Sequence, residues 1–307
     1  MIRFDAFGKR YGRQRAVSRV DLAVTRGEVV ALLGPNGSGK STCLKAAAGL
    51  VRPSDGRVEI GEPLRSAALP EARRGVSFLP QKVAFPEALT GREVVEFYRR
   101  LRGAARGRTE AALGLAALEG AADRPVGTYS GGMVQRLGLA VVALADAPIL
   151  LLDEPTSSLD RAGLAAAHAL ADRGRSEGRA VLFSTHQLAD VERLADRVAV
   201  LVDGALVGNL DRAELAERLA RRGVLRLRVA RAPAALPAEL ERLAPGAELH
   251  GEEIVVIGPA AVRAAALEAV RASGAELRGL SSEEGRLDLL YDELVGAAGR
   301  SGTEVRA

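Results

Sequence analysis

The run Gly34-Pro35-Asn36-Gly37-Ser38-Gly39-Lys40-Ser41 constrains this chain more than any other stretch. It fits the pattern G-x-x-x-x-G-K-S/T, follows the apolar residues 29–33, and opens a helical pattern over 40–50. That is the strand, loop and helix context the pattern requires. Glycines let successive backbone N–H groups turn inward around anionic oxygens, and the following helix points its positive end at the same place. In this register Lys40 reaches the β- and γ-phosphates of a nucleotide and Ser41 offers a hydroxyl to Mg2+. A bare glycine turn is the plain alternative, and the Lys-Ser pair at this spacing argues against it.

Around the loop, apolar runs alternate with helical patterns from Val29 to about Leu210. Strands are expected at 29–33, 76–79, 148–152, 180–184 and 198–202, which predicts an α/β fold with a parallel sheet covered on both faces. Helical patterns at 92–102, 109–118 and 131–144 make an insertion too long for a simple crossover, and it reads as a helical subdomain over about 82–145. Near 211–223 the texture changes. Strands at 224–229, 248–257 and 276–280 and helices at 237–243, 260–272 and 287–297 then predict a small α+β module over 213–307, punctuated by Pro233, Pro245, Gly246, Gly258 and Gly274. The stretch 299–307 reads as a frayed tail.

Composition narrows the partners. The 307 residues are 48% hydrophobic and 27% charged, as expected of a folded chain. No uninterrupted apolar run approaches the ~20 residues of a membrane span; residues 137–152 come nearest and are broken by Asp146 and Pro148. Arg3, Asp5, Lys9 and Arg10 interrupt any signal-like core. A cytosolic or peripheral chain is the expectation. The net charge of +4 invites a nucleic-acid reading. Against it, acids and bases interleave, as in Glu192-Arg193 and Asp196-Arg197, and aromatics are only 3%, too few for a stacking stripe. Cys43, the one cysteine, excludes an internal disulfide, and His168, His186 and His250 lack a metal-ligand spacing.

Two further motifs carry chemistry. Residues 149–154 are an apolar run that ends in Asp153-Glu154. In an open parallel sheet the carboxyl end of a strand faces the ligand crevice, so Asp153 sits near Mg2+ through water and Glu154 is placed to orient or deprotonate a water. A solvated acid pair is the alternative reading of those two residues taken alone. Thr128-Tyr129-Ser130-Gly131-Gly132-Met133-Val134-Gln135-Arg136 precedes a helix, with Ser130 placed like an N-cap.

These motifs together resemble the ATP-binding-cassette (ABC) ATPases, and the resemblance covers about residues 1–210. It implies a P-loop NTPase fold of the ABC type, with an antiparallel β part at the N-terminus and an ATPase domain over 1–212. Gln81 resembles the glutamine that senses Mg2+ and water. Ser157-Ser158-Leu159-Asp160 resembles the loop that crosses the dimer interface, and His186 the switch histidine at the γ-phosphate. Tyr11 resembles the aromatic that stacks on adenine. The resemblance implies ATP and Mg2+ as ligands, with Gly34, Asn36, Gly37, Ser38, Gly39, Lys40, Ser41 and Thr42 at the phosphates. Ser41, Gln81 and Asp153 would stand at the metal, and Glu154, His186 and Gln81 would carry hydrolysis. In such a head-to-tail homodimer Ser130, Gly131, Gly132 and Asp160 reach the nucleotide from the second copy. Met133 and Ser158 depart from the commonest family residues, Gln and Gly.

The same resemblance implies a separate integral membrane permease, docked near 82–90 and 92–102, with this subunit peripheral on the cytoplasmic face. Val83-Ala84-Phe85-Pro86 belongs either to that contact or to loop packing. Cassettes that act on DNA or ribosomes carry coiled-coil insertions, zinc modules or a second cassette, none of which is found here. The C-terminal module resembles those of drug-resistance, sodium-extrusion and antibiotic-immunity exporters. The stretches 79–93, 101–104 and 128–140, with Tyr291, look most like the NosF group, which serves copper-centre maturation of nitrous oxide reductase. That likeness implies a NosY-like permease and a NosD-like periplasmic partner. Copper itself would not bind here, given two methionines, one cysteine and scattered histidines.

Overall fold

In the computed structural model, Val29–Leu33 is buried along its whole length because it lies between two parallel neighbours, Arg197–Val202 and Ala180–Thr185. The structure describes residues 1–157, 159–230 and 232–283. Ser158, the expected helix at 287–297, Tyr291 and the 299–307 tail lie outside the described residues. Two compact units divide the chain, Met1–Asn209 and Leu210–Ala307.

The first unit holds a ten-stranded sheet. Its order is Arg65–Ser66, Asp55–Ile60, Ile2–Tyr11, Gln14–Val24, Ala205–Asp211, Arg197–Val202, Val29–Leu33, Ala180–Thr185, Ile149–Asp153 and Val76–Leu79. From Arg197–Val202 onward the pairs are parallel, whereas Ile2–Tyr11 pairs antiparallel with both of its neighbours. The mixed sheet with helices is therefore the α/β, P-loop type expected. Register then positions the chemistry: Leu33 lies opposite Thr185, Asp153 opposite Ser184, and Leu79 opposite Leu152. Four parallel strands thus end in step, and the loops that leave them meet at one rim. Val30, Leu32, Leu44, Leu151 and Leu182 fill the core beneath.

The helical insertion has a core of its own. Val94, Val95, Leu113, Leu118, Leu137 and Ala140 are buried together, with Phe85 and Tyr98 packed against them. Gly91–Leu101 starts at Thr90 because Thr90 and Glu93 form a capping box.

In the second unit the capping box Asp211/Glu214 starts a helix, Arg212–Ala220, where the sequence showed only a change of texture. Beyond it the order is strand Gly223–Ala230, helix Leu236–Leu243, strands Glu248–His250 and Glu253–Gly258, helix Ala260–Ala272, and strand Glu276–Glu283. Glu248–His250, Glu253–Gly258, Gly223–Ala230 and Glu276–Glu283 lie side by side in that order, all antiparallel. This is the βαββαβ ferredoxin-like arrangement. One expectation is corrected here. The single strand expected over 248–257 is a hairpin, because Gly251 takes a positive φ of 63° and turns the chain. Leu225, Leu227, Val229, Ile254 and Val256 face both helices, and Arg226 and Arg228 alternate outward.

Candidate functional site

The loop between Val29–Leu33 and the helix Lys40–Ala47 is shaped as its sequence demands. Gly37 and Gly39 have φ of 85° and 102°, a region L side chains rarely adopt. A Cβ on Gly39 would lie 2.7 Å from the Ala16 carbonyl oxygen. Lys40 is 5% exposed, and its Nζ donates to the carbonyls of Gly34 (2.8 Å) and Pro35 (2.9 Å). Burial pulls the Lys40 pKa below the usual lysine range, and the nearby carboxylates of Glu154 and Asp153 oppose that shift. The Ser38 hydroxyl is buried with no hydrogen-bond partner among the described residues, an orphaned donor of the kind a phosphate oxygen satisfies. Around these groups lies a cavity of about 230 Å³, lined by Ala16, Asn36, Gly37, Gly39, Lys40, Ser41, Thr42, Gln81 and Glu154.

The acidic wall is a chain of hydrogen bonds that joins the helix Lys40–Ala47 to the ends of two neighbouring strands, Ile149–Asp153 and Ala180–Thr185. Ser41 donates to Asp153 Oδ1 at 2.9 Å, and Ser184 donates to the same oxygen at 2.7 Å. The Glu154 backbone N–H donates to Ser184 Oγ at 2.8 Å. Glu154 has a φ of 48°, a left-handed conformation that costs a non-glycine residue about 1–3 kcal/mol and persists only where neighbours enforce it. Ser184 is one enforcer. The Ser157 N–H is another, donating to the Glu154 carbonyl at 3.2 Å, while Gln81 holds the side chain, donating from Nε2 to Glu154 Oε2 at 3.0 Å. On the other side His186 Nδ1 stands 3.5 Å from Glu154 Oε1. Lys40, Ser41, Gln81, Asp153, Glu154 and His186 are thus brought together, although they come from four separate segments.

Other residues singled out in the sequence lie elsewhere. Ser130 caps Gly131–Ala143, accepting from the Met133 N–H, and Gly131 is exposed beside it. Asp160 caps Arg161–Ser176 and lies 3.6 Å from Arg136. Tyr11 ends a strand, 49% exposed, with Lys9 Nζ 5.1 Å from its ring centre. None of Tyr11, Ser130, Gly131, Gly132 and Asp160 lines the cavity at Lys40. Two contributors were given no role of their own in the sequence reading. Ser184 had a usable signal, a hydroxyl ending the buried run 180–183 just before His186; Ala16 had none, because it acts through its backbone.

A model of the ABC transporter family matches residues 17–157. The uncharacterized ABC transporter ATP-binding protein YxlF of Bacillus subtilis is 38% identical over 211 residues, 67% of this chain and 69% of its own. The Nod factor export ATP-binding protein I of Burkholderia orbicola is 37% identical over 254 residues, 80% of this chain and 82% of its own. The chain belongs to the ABC transporter family. This ABC ATPase also resembles the dimeric cassette MJ0796 in its post-hydrolysis state with ADP and Pi. The TM-score is 0.63 and the identity 28%, over 69% of this chain and 99% of that one.

Proposed function

We propose that the chain is the ATP-hydrolysing subunit of an exporter-type ABC transporter, working as a homodimer with a separate integral membrane permease on the cytoplasmic face of the membrane. The observation that carries this is the convergence of Lys40, Ser41, Asp153, Glu154, Gln81 and His186 on one rim of the sheet. Among the described residues no helix is long and apolar enough to cross a membrane. A relative over most of the chain is named for Nod factor export.

In this reading the loop 34–42 holds the phosphates of ATP, with Lys40 turning from its two carbonyls to the β- and γ-phosphates. Tyr11 stacks on the adenine. Glu154 accepts a proton from the attacking water as its oxygen bonds to the γ-phosphorus and ADP leaves. Gln81 and His186, each in reach of one Glu154 oxygen, orient that carboxylate. Ser41, Asp153 and Gln81 offer the hard oxygen donors that suit Mg2+, which neutralises charge on the β- and γ-phosphates when bound. Ser130, Gly131, Gly132 and Asp160 complete the site of the second copy; that none of them lines the cavity of their own chain supports that arrangement.

The permease is read to dock at a cavity of about 290 Å³ lined by Leu79, Val83, Phe85, Tyr98 and Val141. Phe97 (59%) and Leu101 (68%), one turn apart on Gly91–Leu101, are exposed beside Tyr98. Val83 and Phe85 support both readings of their segment, since Phe85 packs on the helical core and also lines this cavity. A narrower reading rests on the stretches 79–93, 101–104 and 128–140: a NosF-like subunit, with NosY-like and NosD-like partners. Residues 213–307 are read as an accessory module.

The test is co-purification of tagged Glu154→Gln protein with ATP and Mg2+ from detergent-solubilised membranes. A stoichiometric polytopic permease is the expected result, and a periplasmic β-rich companion with it supports the NosF-like reading. A permease of a multidrug, antibiotic or sodium exporter would replace that narrower reading. Soluble dimers or ribosomes with no membrane protein would overturn the transporter assignment.

A further inference from the structure

We propose that Asp190 is a positioning residue for hydrolysis, locking the loop after Glu154 to the loop that carries His186 and so setting the spacing of those two side chains. This rests on the roles read for Glu154 and His186 above. Asp190 lies in the first turn of Leu188–Leu194, outside every segment singled out in the sequence, and is 5% exposed. Its Oδ2 accepts from Thr156 Oγ1 at 2.6 Å and from Thr185 Oγ1 at 2.8 Å. Thr156 and Thr185 are themselves 6% and 2% exposed. Thr156 is two residues beyond Glu154, and Thr185 immediately precedes His186. The Gln187 N–H donates back to Thr185 Oγ1 at 3.0 Å, and the Ser157 N–H to the Glu154 carbonyl at 3.2 Å. One carboxylate oxygen therefore joins the segments on either side of the 3.5 Å approach of His186 to Glu154.

A purely structural carboxylate would be explained by the helix it sits in, because an acid in the first turn is favoured by the helix dipole. Both of its hydroxyl partners, however, lie outside that helix. Among the described residues the hydrogen-bond partners of this buried carboxylate are those two hydroxyls, with no ion pair to a cation. Burying a carboxylate with no counter-charge is costly, which suits a device that holds geometry better than one that adds stability.

The experiment measures steady-state ATP hydrolysis of the full chain, with kcat expressed per nucleotide-binding site titrated in the same preparation. Asp190→Ala is expected to lower kcat about tenfold, through two buried hydroxyls left without an acceptor, and to leave KM within about twofold because no phosphate contact is lost. Thr185→Val is expected to lower kcat about threefold on the same grounds, and to add nothing in the Asp190→Ala background, as members of one network do. Should Asp190→Ala fail to fold, Thr185→Val and Thr156→Val carry the test, since each leaves the Asp190 carboxylate one of its two hydroxyl donors. A merely structural role would reduce the number of binding sites or Tm and leave kcat per site alone. Per-site kcat within twofold of the parent in every variant that folds overturns the proposal, and so does full additivity of Asp190→Ala and Thr185→Val. If Glu154→Gln, measured alongside, hydrolyses as fast as the parent, the failure lies in the reading of the site instead.

Discussion

The two compact units bury polar groups to opposite ends. In Met1–Asn209, Lys40, Asp153, Glu154, Ser184, Thr185 and Asp190 are all buried, and they gather on the loops where parallel strands end. In Leu210–Ala307 the buried charged side chain among the described residues is Arg263, which donates to Ser282 and lies against Gly223. Its other charges alternate outward from an apolar core. Because a buried charge is costly unless it is paired, a cluster of them in one place needs a reason beyond stability. The first unit has one in nucleotide chemistry; the second is built as a shape.

The largest test of that contrast is Glu154→Gln. Loss of a general base is expected to lower turnover by about 10²- to 10⁴-fold while ATP binding, measured by equilibrium dialysis, persists. Turnover within about tenfold of the parent, a barrier change of only ~1.4 kcal/mol, would remove Glu154 from the role of base. A smaller loss, about tenfold in kcat, is expected for Ser184→Ala, since it strips Asp153 of a donor and leaves the strained Glu154 amide without an acceptor in a buried place. Wild-type kcat there would mean the left-handed turn holds without Ser184.

The second unit should answer differently. Leu227→Ala, in its core, is expected to cost that unit about 2–5 kcal/mol, read as an earlier transition in urea, with hydrolysis by the first unit unchanged within about twofold. A parallel fall in kcat would mean that the second unit takes part in catalysis and would erase the contrast. The smallest effect concerns Cys43, which is fully buried and whose thiol is pushed up to about 12 by that burial. At pH 8 about one part in ten thousand is thiolate, so a disulfide reagent should label the native chain no faster than it unfolds. Labelling within seconds would place Cys43 on a mobile surface rather than in the core beneath the phosphate loop.

Much of this molecule is legible from local pattern. The loop 34–41 announces itself because its geometry needs glycine at particular steps, Gly37 and Gly39 among them. Asp153-Glu154 stands out because two acids end an apolar run, and Ser130 because a hydroxyl before a helix satisfies a free N–H. The parallel strands were readable because a strand buried on both faces is apolar throughout. The hairpin at Gly251 was missed although Gly251-Glu252, set among polar residues between His250 and Glu253, is a two-residue turn signal.

The sequence alone thus determined which chemical groups exist and which elements carry them, because helix caps, buried strands and glycine turns are local necessities. Tertiary structure alone decided which groups meet. That Gln81 and His186 take opposite oxygens of Glu154, that Ser184 bridges Asp153 to the Glu154 amide, and that Asp190 ties Thr156 to Thr185 all follow from the order and register of four strands. Hydrogen bonds reach only about 3 Å, and positions such as Gln81 and Glu154, 73 residues apart, come within that range only when the sheet brings their strand ends into step.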